Sequence, residues 1–119
     1  MIEFAGIPFS EIRWQNMPEI KMPGRTGHAT MQTFTRGGIR LRRVVYSLGY
    51  ESDHWCDLGH VVHVLEGTLT MRLKDGRAID VPAGGSFMVG DGIDPHSAVS
   101  VTGAKVFIVD ASQNPPQEK

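Results

Sequence analysis

The chain has a single cysteine in 119 residues, no sustained helical periodicity, no long apolar run and a formal net charge of only -1, and each shortage excludes something. One thiol, Cys56, rules out an intramolecular disulfide framework. Because a lone thiol is commonest in reducing compartments, the expected location is the cytosol, that is, cytoplasmic. No stretch approaches the ~18 apolar residues of a membrane-spanning helix, and Met1 to Gly6 carries Glu3 without a basic leader, so neither signal nor anchor is expected. The near-zero charge provides no field to gather polyphosphate or anionic lipid, which makes nucleic acid and the membrane surface poor default partners. The length leaves room for one domain, which at this size buries about two-thirds of its unfolded surface and needs neither disulfide nor metal merely to fold.

What is present is a β pattern. From Arg40 onward, short apolar runs alternate with glycine-rich punctuation roughly every ten residues, as in all-β sandwiches and barrels. The spacing predicts strands over Ile39–Tyr46, Val61–Leu65, Thr68–Leu73, Arg77–Val81, Ser86–Val89, Ala98–Val101 and Ala104–Asp110. In Thr68–Leu73 the period is two, with Leu69, Met71 and Leu73 on one face and Thr68, Thr70 and Arg72 on the other. Lys74-Asp75-Gly76 fits a tight hairpin, since Asp-Gly tolerates positive φ. Residues 1–38 read as an irregular N-terminal arm. Pro8, Pro18 and Pro23 interrupt any long helix, while Phe9, Ile12, Trp14 and Met17 suit an arm laid along its own barrel or on a second subunit. Residues 39–112 then form the barrel, and residues 113–119 a frayed polar tail.

Histidine is the one departure from bland composition: His54, His60, His63 and His96, four of the five, lie from residue 54 onward. Asp53-His54-Trp55-Cys56-Asp57-Leu58-Gly59-His60 contains H-x-C-x3-H. Strand parity points His54 and Cys56 the same way, and a turn at Asp57-Leu58-Gly59 lets His60 open a returning strand opposite them. The same parity groups His60 with Val62 and Val64 and sets His63 on the other face. His96, after the Gly90–Pro95 turn, is the best further ligand. A lone buried cysteine is usually a small hydrophobe and a lone histidine usually just hydrogen-bonded; the convergence of four such groups is what favours a metal. Asp91 and Asp94 are candidates to bond the far nitrogen of His96, although turn capping is their commoner role. Tyr50 and Trp55 could line a pocket mouth, with Trp55 pointing away from the ligands. Arg40 and Arg42 share a strand face, either as a clamp for an anionic substrate or as a solvated sheet surface. His28 falls in a loop and is assigned no role.

From Gly49 to about Asp110 the chain resembles the cupin superfamily, whose motifs look like G-x5-H-x-H-x3,4-E-x6-G and G-x5-P-x-G-x2-H-x3-N. His54 matches the first histidine, Cys56 stands for the second, His60 for the glutamate, and Gly67 for the closing glycine, inside Val64-Leu65-Glu66-Gly67, which looks like that family's V-L-x-G turn. In the second motif Gly85 and His96 match, Asp91 replaces the proline, Gly92 is displaced by one position and Ser100 replaces the asparagine. The string Asp53-His54-Trp55-Cys56 is also similar to that of small bacterial DHCW-motif cupins, a likeness that implies a fold and not a reaction. The resemblance implies a single-domain double-stranded β-helix, or jelly-roll, barrel, a homodimer, and a metal held by His54, Cys56, His60 and His96. Three imidazoles and a thiolate carry the same single negative charge as three imidazoles and a carboxylate, but the softer set favours Zn²⁺ over Mg²⁺ or Ca²⁺, with Ni²⁺ or Fe²⁺ also suited. The expected function is therefore a metal-binding barrel that accepts a small molecule, an anion being one candidate. A non-catalytic redox or metal sensor with a structural metal competes with it, as does a metal-dependent oxygenase, isomerase or lyase in which Arg40 or Arg42 positions a carboxylate.

Overall fold

The structure is a computed structural model that describes residues 4–112; the tail expected over 113–119 lies outside the described residues. A 3-10 turn, Trp14–Asn16, precedes nine strands: β1 (Ile20–Pro23), β2 (His28–Arg36), β3 (Ile39–Tyr46), β4 (Tyr50–Glu51), β5 (His60–Leu73), β6 (Ala78–Pro82), β7 (Ser86–Val89), β8 (His96–Ser100) and β9 (Ala104–Ala111). They pair antiparallel in the order β1-β2-β3-β9-β5-β8-β4, with β6 and β7 also on β5. No helix among the described residues is long and apolar enough to cross a membrane.

The long strand β5 curls the sheet into a barrel. Its first half pairs with β9 and β7, its second half with β6 and β8, and a bulge between Val64 and Glu66 separates them. The turn expected at Val64–Gly67 is thus a bend within one strand. Gly67 makes the bend: its φ is 74°, and a Cβ there would strike the carbonyl oxygen of Gly103 on the adjacent chain. The Asp75-Gly76 hairpin forms as its sequence predicts, with Gly76 at φ 100° and Leu73 N–H donating to the Arg77 carbonyl at 2.9 Å.

The sheet also begins earlier than expected, at Ile20 rather than Ile39. The prolines that exclude a helix do not exclude an edge strand: Pro23 closes β1, at the sheet margin, where a missing N–H leaves no ladder bond unmade. β2 then pairs with β3 from Ala29↔Tyr46 to Arg36↔Ile39. The arm before it lies along its own sheet. Gln32 Nε2 donates to the carbonyls of Trp14 (2.6 Å) and Met17 (3.0 Å), and the Trp14 ring meets Phe107 edge-on at 6.3 Å. Inside the barrel Val62, Val64, Leu69 and Val106 are buried, on the period-two faces that the sequence assigns to Leu69 and Met71 and to Val62 and Val64.

Candidate metal centre and its cavity

Cys56 is placed by a two-bond bridge to β8: its N–H donates to the His96 carbonyl at 2.7 Å and its carbonyl accepts from His96 N–H at 2.9 Å. His60 opens β5 on its inward face, and the two imidazoles meet with Nε2 atoms 3.0 Å apart. The donor atoms of Cys56, His60 and His96 all lie within 4.8 Å of one another, a group that could hold a metal ion. The turn between Cys56 and His60 is fastened from outside. Asp91 Oδ1 accepts the Gly59 N–H at 2.5 Å, and Gly92 N–H donates to the Asp57 carbonyl at 2.9 Å.

His54, the expected fourth donor, is not in this cluster. Its side chain is 67% exposed and its Nδ1 lies 2.9 Å from Asp53 Oδ1. Register gives the reason. Between the Glu51↔Val99 pair and the Cys56↔His96 bridge, one chain advances five residues and the other three, so two residues loop out and the parity linking His54 to Cys56 is lost. His54 instead lines the side of the cavity that adjoins an outer groove, which Arg25, Arg72 and Arg77 also line, and the buried Ser52 and Ser97 line the same side. Trp55 is exposed beneath the Lys74 ammonium, and His63 bonds Ser86 Oγ at 2.7 Å outside the cluster. The far nitrogen of His96 is held by Asp94 through its backbone carbonyl at 2.8 Å rather than its carboxylate, which pairs with Arg77. That bond requires a proton on Nδ1 and leaves Nε2 facing the cluster.

Behind His60 lies a residue that the sequence reading missed. Asp110 is 3% exposed and accepts two bonds from Arg40, both 2.8 Å, and one from Arg42 Nη2 at 2.7 Å. Its Oδ2 is 3.7 Å from His60 Nδ1, a buried nitrogen without a closer partner. Arg40 and Arg42 do share a face, but it is the inner one, and both are bound to this carboxylate instead of standing as a free pair. A signal existed: Ala104, Val106, Ile108 and Asp110 share one strand face, and an acid ending an apolar inward row calls for partners.

Burial and charge set the protonation of the site. Burial raises the Asp110 pKa, but the hydrogen bonds from Arg40, the nearby His60 ring and the charges of Arg42 and Arg40 outweigh it and hold the carboxyl below the usual carboxylate range. Burial lowers the His60 pKa, with the charges of His96 and Arg42 adding to it against Asp110. Burial pushes the Cys56 thiol up, yet His96 and a hydrogen bond with the Leu58 backbone pull it below its ordinary value; the reciprocal bond to Cys56 raises His96 against its own burial. The three residues floor a cavity of ≈ 140 Å³ walled by Val44, Val62, Leu69, Met71 and two tyrosines. Burial, with Tyr50 alongside, pushes the Tyr46 hydroxyl up to about 12, so it stays protonated at neutral pH.

No family model and no curated protein matches the sequence. Solved structures do match the fold. The chain is similar to the polyketide cyclase RemF from Streptomyces resistomycificus, at 21% identity and TM-score 0.73 over 92% of this chain and 83% of that one. It is similar to an RmlC-like cupin from Shewanella frigidimarina NCIMB 400, at 18% identity and TM-score 0.68 over 98% and 99%. It is also similar to hydroxypropylphosphonic acid epoxidase from S. wedmorenis, at 16% identity and TM-score 0.66 over 86% and 59%. At these identities the likeness speaks for architecture, and by its curled antiparallel barrel, spanned end to end by a cupin of nearly the same length, this chain has the cupin fold.

Proposed function

We propose that the protein is a metal-binding cupin that uses Cys56, His60 and His96 to hold a divalent transition metal and admits a small anionic molecule beside it. The observation that carries this reading is the convergence of one thiol and two imidazoles at the floor of a cavity. The donors fit such an ion: a thiolate with two imidazole nitrogens suits Zn²⁺ first, and Ni²⁺ or Fe²⁺ next. Protonation supports the fit. A neutral His60 that donates from Nε2 to His96 leaves Nδ1 bare beside the Asp110 carboxylate. His60 and His96 would hold the ion together with Cys56, and the His60 proton would then sit on Nδ1, facing the Asp110 carboxylate.

Three protein donors leave room for a further ligand, so the ion would supply Lewis-acid polarisation to a bound molecule. The chain's own residues then bind and orient: Arg42 presents positive charge, the apolar walls exclude water, and His54, Ser52 and Ser97 line the side toward the outer groove. A neighbour of similar fold, FeII HppE, is an iron(II) protein, which supports a metal in this kind of barrel. The half-buried Cys56 thiol, lowered in pKa, favours redox sensing as a second reading.

The test is elemental analysis of the full chain after metal loading, with Cys56→Ala and His96→Ala beside it. About one equivalent in the wild type, with affinity at least ~100-fold weaker in both variants, is expected. Less than ~0.1 equivalent of any transition metal, or unchanged occupancy in both variants, defeats the reading.

A further inference from the structure

We propose that Arg42 anchors an anion subsite inside the barrel, and that its ligand is a monocarboxylate on a compact apolar body about the size of a benzene ring. This names the ligand class of the site proposed above and so rests partly on that reading.

The first observation is an unequal pair. Arg40 places Nε and Nη2 on the two oxygens of Asp110 and does not line the cavity. Arg42 lines it, and of its five N–H donors only those of Nη2 meet an oxygen. Its Nη1 reaches only the Met31 thioether at 3.7 Å, and its Nε is buried with no partner. A buried guanidinium with unmet donors beside a cavity is incomplete unless an acceptor comes to it.

Charge points the same way. Arg40 already takes both oxygens of Asp110, so the Arg42 charge is met by a single bond to a carboxylate that is engaged elsewhere. None of the residues lining the cavity is an aspartate or glutamate. Cys56 and His96 add nothing to the balance, since a thiol with a neutral imidazole and a thiolate with an imidazolium both sum to zero. A divalent ion that displaces that proton from the thiol adds a further positive charge. An anion is therefore favoured with or without the metal, and a monoanion matches the one guanidinium that lines the cavity.

Size and wall chemistry set the rest of the molecule. A cavity of ≈ 140 Å³ is close to the ~150 Å³ apolar cavity that admits benzene. Val44, Val62, Leu69, Met71 and Ile108 offer no hydrogen bonds to a polar body. A carboxylate on a small ring or branched chain satisfies Arg42 and the walls together.

The test uses the full chain, zinc-loaded and chelator-treated, titrated with benzoate, benzamide and benzylamine, which share a ring and differ in charge. Binding is followed through backbone amide NMR shifts. Benzoate is expected to bind about tenfold or more tighter than either analogue in both states, with its largest shifts at Arg42, Val44 and Tyr46, and Arg42→Lys is expected to lose most of that preference while keeping a folded spectrum. Equal binding of benzoate and benzamide, no binding of either, or shifts confined to the outer groove at Arg25, Arg72 and Arg77 overturns the proposal without reference to any unfolded variant. Preference for benzoate only when zinc is present assigns the carboxylate to the ion and overturns the Arg42 anchor while leaving the metal reading intact. The same preference without measurable zinc binding supports Arg42 and defeats the metal.

Discussion

Strands β3, β9 and β5 run side by side, and their inward rows change character from one end to the other. At one end are Arg40, Asp110 and His60; then come Arg42, Ile108 and Val62, then Val44, Val106 and Val64. The apolar end is held by close packing that needs no direction, so any well-filling set of branched side chains would serve. The ionic end is held by geometry: Asp110 is charged because two guanidiniums face it, and it stays buried because they remain there. Buried charge of this kind is weak evidence for net stability, yet breaking it is severe, because the partners left behind are uncompensated. What this contrast teaches is that one end fills space and the other fixes orientation, and only the second makes a site.

The sharpest way to break the contrast is to cut each end once. Asp110→Ala should cost about 3–5 kcal/mol by removing the buried carboxylate on which two inward guanidiniums converge. Leu69→Ala at the apolar end should cost about 2–5 kcal/mol from lost transfer energy and cavity. Urea denaturation of both variants measures this. A cost under about 1 kcal/mol for Asp110→Ala would mean that the arginines reach water and that the end is not sealed.

Acid sharpens it next. Because Asp110 has a folded pKa below its unfolded value of about 3.9, its contribution is fully present above that value and is lost as pH falls below about 4. Stability attributable to this group should therefore decline on acidification from about pH 4 downward and be level above about pH 5. Asp110→Asn should flatten that part of the profile, whereas Leu69→Ala should lower the whole curve without changing its shape.

The smallest effect is expected at the rim. His54→Ala should change stability by less than about 0.5 kcal/mol, since its ring is exposed, and shift zinc affinity by less than about threefold if three donors suffice. A loss of tenfold or more, measured by competition with a chelator, would mean that His54 turns inward as a fourth ligand and closes the site.

Much of the barrel is legible in the sequence where local chemistry decides. Ile39–Tyr46 and Ser86–Val89 have the bounds that alternation predicts, and Asp75-Gly76 makes its turn. Legibility fails where one residue acts across a pair of strands. Gly67 looks like a turn glycine, but its lack of a Cβ serves the approach of Gly103 and keeps β5 continuous. β1 and β2 look irregular because proline is read against helices, and only pairing with β3 shows that an edge tolerates it. At the site, Cys56, His60 and His96 are readable as donor types. His54 misleads, because strand parity assumes that no residue loops out before Cys56.

The sequence by itself determined the all-β pattern, the hairpin at Asp75-Gly76 and the supply of soft donors, all of which depend on residues a few positions apart. Only the tertiary structure decided which donors meet and that Arg40 and Arg42 face inward onto Asp110. Those outcomes join residues 36 positions apart at His60 and His96 and 70 apart at Arg40 and Asp110. Register between distant strands sets such contacts, and a shift of one residue would turn every side chain concerned to the opposite face.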